Sequence, residues 1–363
     1  MFKKFLILLI LSNALFANQS YTKAQVEKMI AKMVILGFYG QNITSNDKIY
    51  QDIKKYDLGG VILFDKDPTN KRKYKNVVDP KQLKTLTSKL QNIRAEKLLI
   101  SIDQEGGIVQ RLKKSKGFVN TPRASVVSLR GERNARDIYS LLALDLNQNG
   151  INVDFAPVVD LAINSRNSVI VKKGRSFGKN PNEVIKYSSI FVDELKKQNV
   201  ISVLKHFPGH GSSLGDSHKG FVDITKTWKQ EELEPYKYFI ANNKVDMIMT
   251  AHVYNKEMDR DYPATLSYDI NTIILRDMLG FKGVLVSDDL QMGAISKHYT
   301  LKQTLTLSIN SGVNMLLFAN QLARPVKLET IINTVYSQVQ NGQISLERIV
   351  ESNKRINKML KGI

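Results

Sequence analysis

The chain has 363 residues, 42% apolar and 24% charged, with 53 Lys and Arg against 34 Asp and Glu and a net charge of +19. That balance excludes a disordered or fibrous chain and leaves room for one large domain or two average ones. The absence of cysteine excludes a disulfide scaffold, a thiolate metal site and a catalytic thiol, so any catalysis must use oxygen or imidazole groups.

Lys3 and Lys4 precede an unbroken apolar run from Phe5 to Leu11, and Leu15, Phe16 and Ala17 place a small residue at a cleavage point. Residues 1–17 therefore read as a secretory signal. A membrane anchor competes, but the run is shorter than the roughly 20 residues that span a bilayer. The remainder, 18–363, is expected as a single domain exported to the periplasm, with no membrane span after cleavage.

Short β-rich runs follow at Met33 to Phe38, Gly59 to Phe64, Leu98 to Asp103, Ile151 to Pro157, Ile201 to Phe207, Asp246 to Val253, Gly283 to Asp289 and Asn314 to Ala319. Helical spacing predicts helices over Lys81 to Lys97, Ala135 to Asn149, Pro181 to Gln198, Trp228 to Asn242, Asn271 to Leu279, Leu301 to Ile309 and Val326 to Gln340, with Ser345 opening a last one. Asn180 before Pro181 is a good helix start. Near-continuous apolar strands alternating with helices are the mark of parallel βαβ units. Eight of them predict an α/β fold of the (β/α)8 barrel type, with a doubly wound sheet as the alternative.

The lysines are scattered over helix faces, and the densest cluster is Lys71, Arg72, Lys73 and Lys75. No aromatic-rich strand or zinc module accompanies them, so a solvated basic surface is expected rather than a nucleic-acid site. A barrel places its chemistry at the carboxyl ends of the strands. Asp103 closes the third and runs into Gln104, Glu105, Gly106 and Gly107; Lys205 and His206 close the fifth; His252 closes the sixth; Asp288 and Asp289 close the seventh. Together these ends define one candidate site. Asp289 is expected to cap the following helix, and His252 to be structural.

The loop from Lys205 to His218 reads KHFPGHGSSLGDSH and holds three of the five histidines. Pro208 and Gly209 preclude the helix that would put His206 and His210 on one face of a metal site. Gly209, Gly211 and Gly215 do not match the dinucleotide fingerprint. Neither metal nor cofactor is expected, and acid and base chemistry remains. The glycines suggest hinge freedom and a lid that closes over substrate.

KHFPGHG followed by DSH, DQEGG with an arginine downstream, GRSFG and a strand-ending SDD resemble the family 3 glycoside hydrolases. The likeness is greatest to their single-domain bacterial β-N-acetylglucosaminidases. It implies a barrel catalytic domain, with Asp288 as the nucleophile that attacks the anomeric carbon. His218 would be the general acid and base, with Asp216 its partner, and Asp103, Arg111, Arg175, Lys205 and His206 would hold the sugar. The implied substrates are GlcNAc-containing muropeptide or glycan fragments, and a monomer is expected. Ile108 stands where a basic residue is common, and Lys219-Gly220-Phe221 replaces the usual leucine-proline continuation.

Elementary chemistry agrees with those roles. Retaining hydrolysis needs a carboxylate on one face of the ring and a proton donor beside the departing oxygen. An imidazole can both give and take that proton near neutrality, and Asp216 would orient it. Lys205 and Arg175 would favour an ionised Asp288, with a structural ion pair as their competing role. Two other functions stay open: a glycoside phosphorylase using the same pair, and a wall-binding protein without chemistry.

Overall fold

The computed structural model describes residues 21–70, 72–217, 220–321 and 325–362. Eight strands form one parallel sheet: β1 (Val34–Gly37), β2 (Gly60–Ile62), β3 (Leu99–Ile102), β4 (Val153–Asp154), β5 (Ile201–Phe207), β6 (Met247–Thr250), β7 (Val284–Val286) and β8 (Leu316–Phe318). Their order, β7-β6-β5-β4-β3-β2-β1-β8, runs with the sequence except where β8 returns to β1. A parallel bridge between Val286 and Met315 brings β7 to the approach of β8 and completes the circuit. The fold is thus the (β/α)8 barrel expected from the strand count. Burial of the strands on both faces explains why each one is apolar without alternation.

The helices begin where capping chemistry places them. Thr22 and Thr300 each form a capping box, Asn180 accepts from the Asn182 amide ahead of Pro181, and Ser345 accepts from the Arg348 amide. Three helices depart from expectation. The one predicted to Lys97 stops at Gln91, because Gln91 and Arg94 side chains donate to the Glu96 and Lys97 carbonyls and hold a turn instead. The segment from Trp228 is split at Pro235, where a 3-10 turn, Gln230–Leu233, gives way to the helix Glu234–Ala241. Asp269–Met278 is wound as a π-helix. Its i→i+5 winding puts Asn271 and Arg276 on one side, where they bond to Ser311 and Asn314. Three helices, Lys48–Tyr56, Ala124–Leu129 and the short Gly293–Ser296, go beyond those expected.

Residues 1–17, read as a signal, lie outside the described residues, as does His218. Among the described residues no helix is long and apolar enough to cross a membrane.

Candidate active site

At the carboxyl ends of the strands the barrel opens into a cavity of about 340 Å³. Asp103, Glu105, Arg111, Arg175, Lys205, His206, His210, Ser217, Asp288 and Asp289 contribute to its wall.

The turn after β3 is built by its two glycines. Gly106 and Gly107 adopt φ +95° and +63°, and a Cβ on Gly106 would meet the Pro122 carbonyl at 2.4 Å. The chain can therefore double back. Gln104 Oε1 accepts from the Arg111 and Leu112 amides at 2.9 and 3.0 Å, and Arg111 Nη2 reaches Asp103 Oδ2 at 2.9 Å. Ile108 projects into solvent beside this turn.

Lys205 Nζ lies 3.0 Å from Asp103 Oδ1 and 2.7 Å from Glu105 Oε1. Neighbouring strand residues ordinarily point to opposite faces, but the pairing of β5 with β6 shifts register between Leu204 and Phe207, and both Lys205 and His206 line the cavity. Arg175 grips Glu105 in bidentate fashion, Nε and Nη2 each donating at 2.7 Å. Its Nη2 also lies 3.3 Å from His206 Nε2. A guanidinium only donates, so that ring nitrogen accepts, and the His206 proton sits on Nδ1, 2.6 Å from Asp160 Oδ2.

The result is a half-buried to buried ladder of opposite charges, Arg111, Asp103, Lys205, Glu105 and Arg175, ending on His206 and Asp160. Burial by itself would raise both ladder carboxyls, but Lys205 and Arg111 hold Asp103 below its ordinary value, and Arg175 with Lys205 brings Glu105 down to about 2. Burial would likewise lower Lys205, yet Glu105 and Asp103 outweigh it and keep the ammonium charged. Lys205 bridges the two ladder carboxylates, and Asp160, which His206 likewise holds below its ordinary value, supplies a third at the inner end. The ion pairing that competed with sugar binding as the role of Lys205 and Arg175 is present.

Asp288 ends β7 half-buried at the cavity wall, where Oδ1 accepts from the Asp289 amide at 2.8 Å. Asp289 Oδ1 accepts from the Gln291 and Ala319 amides at 3.2 and 3.1 Å, tying β7 to the end of β8; it does not cap the following helix, Gly293–Ser296, whose N-cap is Met292. His252 does not line the cavity. It bonds Thr265 Oγ1 at 2.7 Å and the Asp289 carbonyl at 2.9 Å, supporting the end of β7 from behind. Of the eight residues proposed from the sequence, Asp103, Arg111, Arg175, Lys205, His206 and Asp288 meet at this one cavity. Asp216 is half-buried and precedes the wall residue Ser217, but is not part of the wall itself.

The loop leaving β5 corrects one expectation. Gly209 and Gly211 serve close packing rather than hinge freedom: a Cβ on Gly211 would lie 1.7 Å from the Leu161 carbonyl oxygen, and one on Gly209 2.7 Å from Glu232 Cβ. The main chain here is held by buried carboxylates. Asp160 Oδ1 accepts from the His210 amide at 2.8 Å, and Glu232 Oε2 from the Gly211 and Ser212 amides at 3.1 and 3.3 Å. Burial lowers His210 to about 4 with His206 adding to the effect, so the ring is neutral and bridges Ser213 and Ser217 at 2.7 and 3.3 Å.

Sequence reasoning singled out neither Glu105, Asp160 nor Glu232. Asp160 lies six residues beyond the end of β4, too far for the strand-end rule that selected the others. Glu232 carried no such signal, since it sits on a 3-10 turn beyond the loop that it supports.

Two buried carboxyls have values above the ordinary range: burial raises Glu232 to about 7 and Asp154 to about 8. Asp154 Oδ1 accepts from the Gln104 amide, while Oδ2 is buried with no cation or donor on it among the described residues. A raised carboxyl stabilises the fold below its ordinary value, and that contribution is lost as pH rises through the folded value. His210 runs in the other direction, and its contribution is complete above its ordinary 6.5. Above that pH the melting temperature is expected to fall through about 8, and the Asp154→Asn, Glu232→Gln double variant should flatten the decline. An unchanged slope in a pH series of thermal melts would refute the assignment.

Taken together, the structure defines an α/β-barrel protein with a charged pocket at its catalytic face. The family model described as the glycosyl hydrolase family 3 N-terminal domain matches residues 25–359, and the chain belongs to that family. Beta-hexosaminidase A of Pseudoalteromonas piscicida is 33% identical over 332 residues, covering 85% of this chain and 54% of that protein. The chain thus spans about half the length of that relative. The beta-hexosaminidase of Tolumonas auensis is 34% identical over 278 residues, with 75% and 78% covered. Among solved structures, a glycoside hydrolase family 3 β-N-acetylglucosaminidase from Paenibacillus sp. superposes with a TM-score of 0.83 at 30% identity, covering 94% of this chain and 63% of that one.

Proposed function

We propose that the protein is a retaining, exo-acting β-N-acetylglucosaminidase that removes terminal GlcNAc from peptidoglycan-derived fragments. The observation that carries this reading is the single cavity in which Asp288 and the paired cations meet. Its volume of about 340 Å³ lies at the small end of ligand pockets, in keeping with one terminal sugar. The names of the relatives support the hexosaminidase activity.

In this mechanism the ladder hydrogen-bonds the sugar hydroxyls and Asp288 attacks the anomeric carbon. The bond to the leaving oxygen breaks as the His218 imidazolium gives that oxygen its proton. Water then attacks the glycosyl-Asp288 ester, His218 takes the water proton, and the Asp288 carboxylate departs, so that configuration is retained. Asp216 orients the imidazole from its place on the same loop.

A panel of aryl β-glycosides tests the reading, with preference for the N-acetylglucosaminide expected. His218→Ala should lower kcat much more on poor leaving groups than on activated ones, because only poor ones need the proton. Equal losses across the panel would take the acid role from His218. Sugar phosphate formed in the presence of phosphate would indicate a phosphorylase instead. The proposed periplasmic location rests on residues 1–17, and an uncleaved N-terminus on the purified native protein would count against it.

A further inference from the structure

Beyond the charged cavity, the rim between the β6 and β7 ends carries an aromatic cluster that the mechanism does not use. Phe221 is 54% exposed although its neighbours Val222 and Ile224 are buried. Its ring lies 5.2 Å from that of Tyr254, tilted 41°, and 6.2 Å from that of His298, edge-on at 67°. Leu214 is half exposed nearby, because Gly215 packs so closely on Val222 that a Cβ there would come within 3.0 Å of it.

The platform is rigid. Tyr254 and the 222–224 segment pair in parallel: the Tyr254 amide donates to the Val222 carbonyl and the Ile224 amide to the Tyr254 carbonyl, both at 2.8 Å. The Tyr254 hydroxyl donates to the Arg260 carbonyl at 2.6 Å, which fixes the ring from its far end. Two tethers hold this cluster beside the cavity. Tyr254 lies two residues, at most about 7 Å of chain, beyond His252, which contacts the Asp289 carbonyl. Phe221 and His298 follow the wall residues Ser217 and Met292, and these two segments are joined by the Ala294 amide donating to the Ser217 carbonyl at 3.1 Å.

We infer that Phe221, Tyr254 and His298 form the binding shelf for the sugar ring on the leaving-group side of the scissile bond. This deepens the hexosaminidase reading and rests on it. The cavity holds one residue through charged hydrogen bonds, so the next ring of a glycan must leave it at the rim. There the apolar C–H face of a pyranose packs on an aromatic face, while its edge hydroxyls stay in water. The occupant is a β-linked amino-sugar pyranose. The Lys219-Gly220-Phe221 departure from the family pattern supplies the ring on which it rests.

The test compares kcat/KM for a β-1,4-linked N-acetylglucosamine disaccharide with that for the methyl β-N-acetylglucosaminide. In Phe221→Ala this ratio is expected to fall about tenfold, chiefly through KM on the disaccharide, and in Phe221→Trp to be retained. A ratio unchanged in Phe221→Ala would overturn the shelf. A binding measurement separates this from failure of the parent reading: saturation-transfer NMR of the intact disaccharide on the Asp288→Asn variant. Saturation of the reducing-side ring that disappears when Phe221→Ala is added supports the shelf even if the wild type turns over neither compound. Contact confined to the non-reducing ring refutes the shelf and leaves the catalytic site standing.

Discussion

Replacing Asp288 by Ala is expected to lower kcat on aryl β-N-acetylglucosaminides by on the order of 10⁴-fold or more, because without the carboxylate no covalent intermediate can form. The variant should fold normally. Asp288 is half-buried at the cavity wall rather than in the core, so truncation opens no deep cavity. In the proposed mechanism the space vacated by the side chain faces the anomeric carbon, and a small nucleophile such as azide should enter it. An activated aryl glycoside would then yield a glycosyl azide of inverted configuration, detectable by NMR. Near-normal turnover in Asp288→Ala, or covalent labelling of another side chain by a mechanism-based inactivator, would remove the residue from its assigned role.

Replacing Glu105 by Ala should have the largest effect on the fold of any change at the site. Glu105 is the shared partner of Lys205 and Arg175, at 2.7 Å from each, and all three side chains are buried. Removing it takes away the ion-pair partner of Arg175 and leaves Lys205 with Asp103 alone, and breaking a buried pair of this kind costs about 3–5 kcal/mol. A drop of several degrees in melting temperature is therefore expected, together with a raised KM as Arg175 and Lys205 lose their fixed positions. The pH dependence adds a second signature. With a folded value of about 2 against an ordinary 4.5, ionised Glu105 stabilises the fold above 4.5, and that contribution is lost as pH falls through about 2. Glu105→Gln keeps the shape and removes the charge, so it should flatten the acid limb of the stability curve. An unchanged melting temperature in Glu105→Ala would mean that water compensates the cations.

The two predictions separate two layers of the site. In the proposed mechanism Asp288 acts on substrate, whereas Glu105 holds Lys205 and Arg175, the groups proposed to bind it. His206 belongs to the second layer as well as the first, since Asp160 fixes its tautomer and Arg175 faces its other nitrogen. Its neighbour His210 has become a neutral strut between two serine hydroxyls. Three histidines of one short motif thus have three different expected roles, and burial and partners distinguish them where residue type cannot.

Much of this was legible in the chain. Strands buried on both faces must be apolar throughout, so β1 to β8 announced themselves. A side chain at a strand's carboxyl end must emerge at the barrel mouth, so Asp103, Lys205, His206 and Asp288 could be assigned to one face before any coordinates. Backbone geometry and side-chain polarity are local properties, and the sequence determined them. Partnership is not local. Glu105 meets Lys205 and Arg175 across 100 and 70 positions, Glu232 reaches back some 20 residues to the amides of Gly211 and Ser212, and Phe221 meets Tyr254 only because a short parallel pairing brings them together. Those contacts, and the protonation states that follow from them, were decided by the closed barrel, because the energy of a buried charge depends on what the fold places within a few ångströms of it.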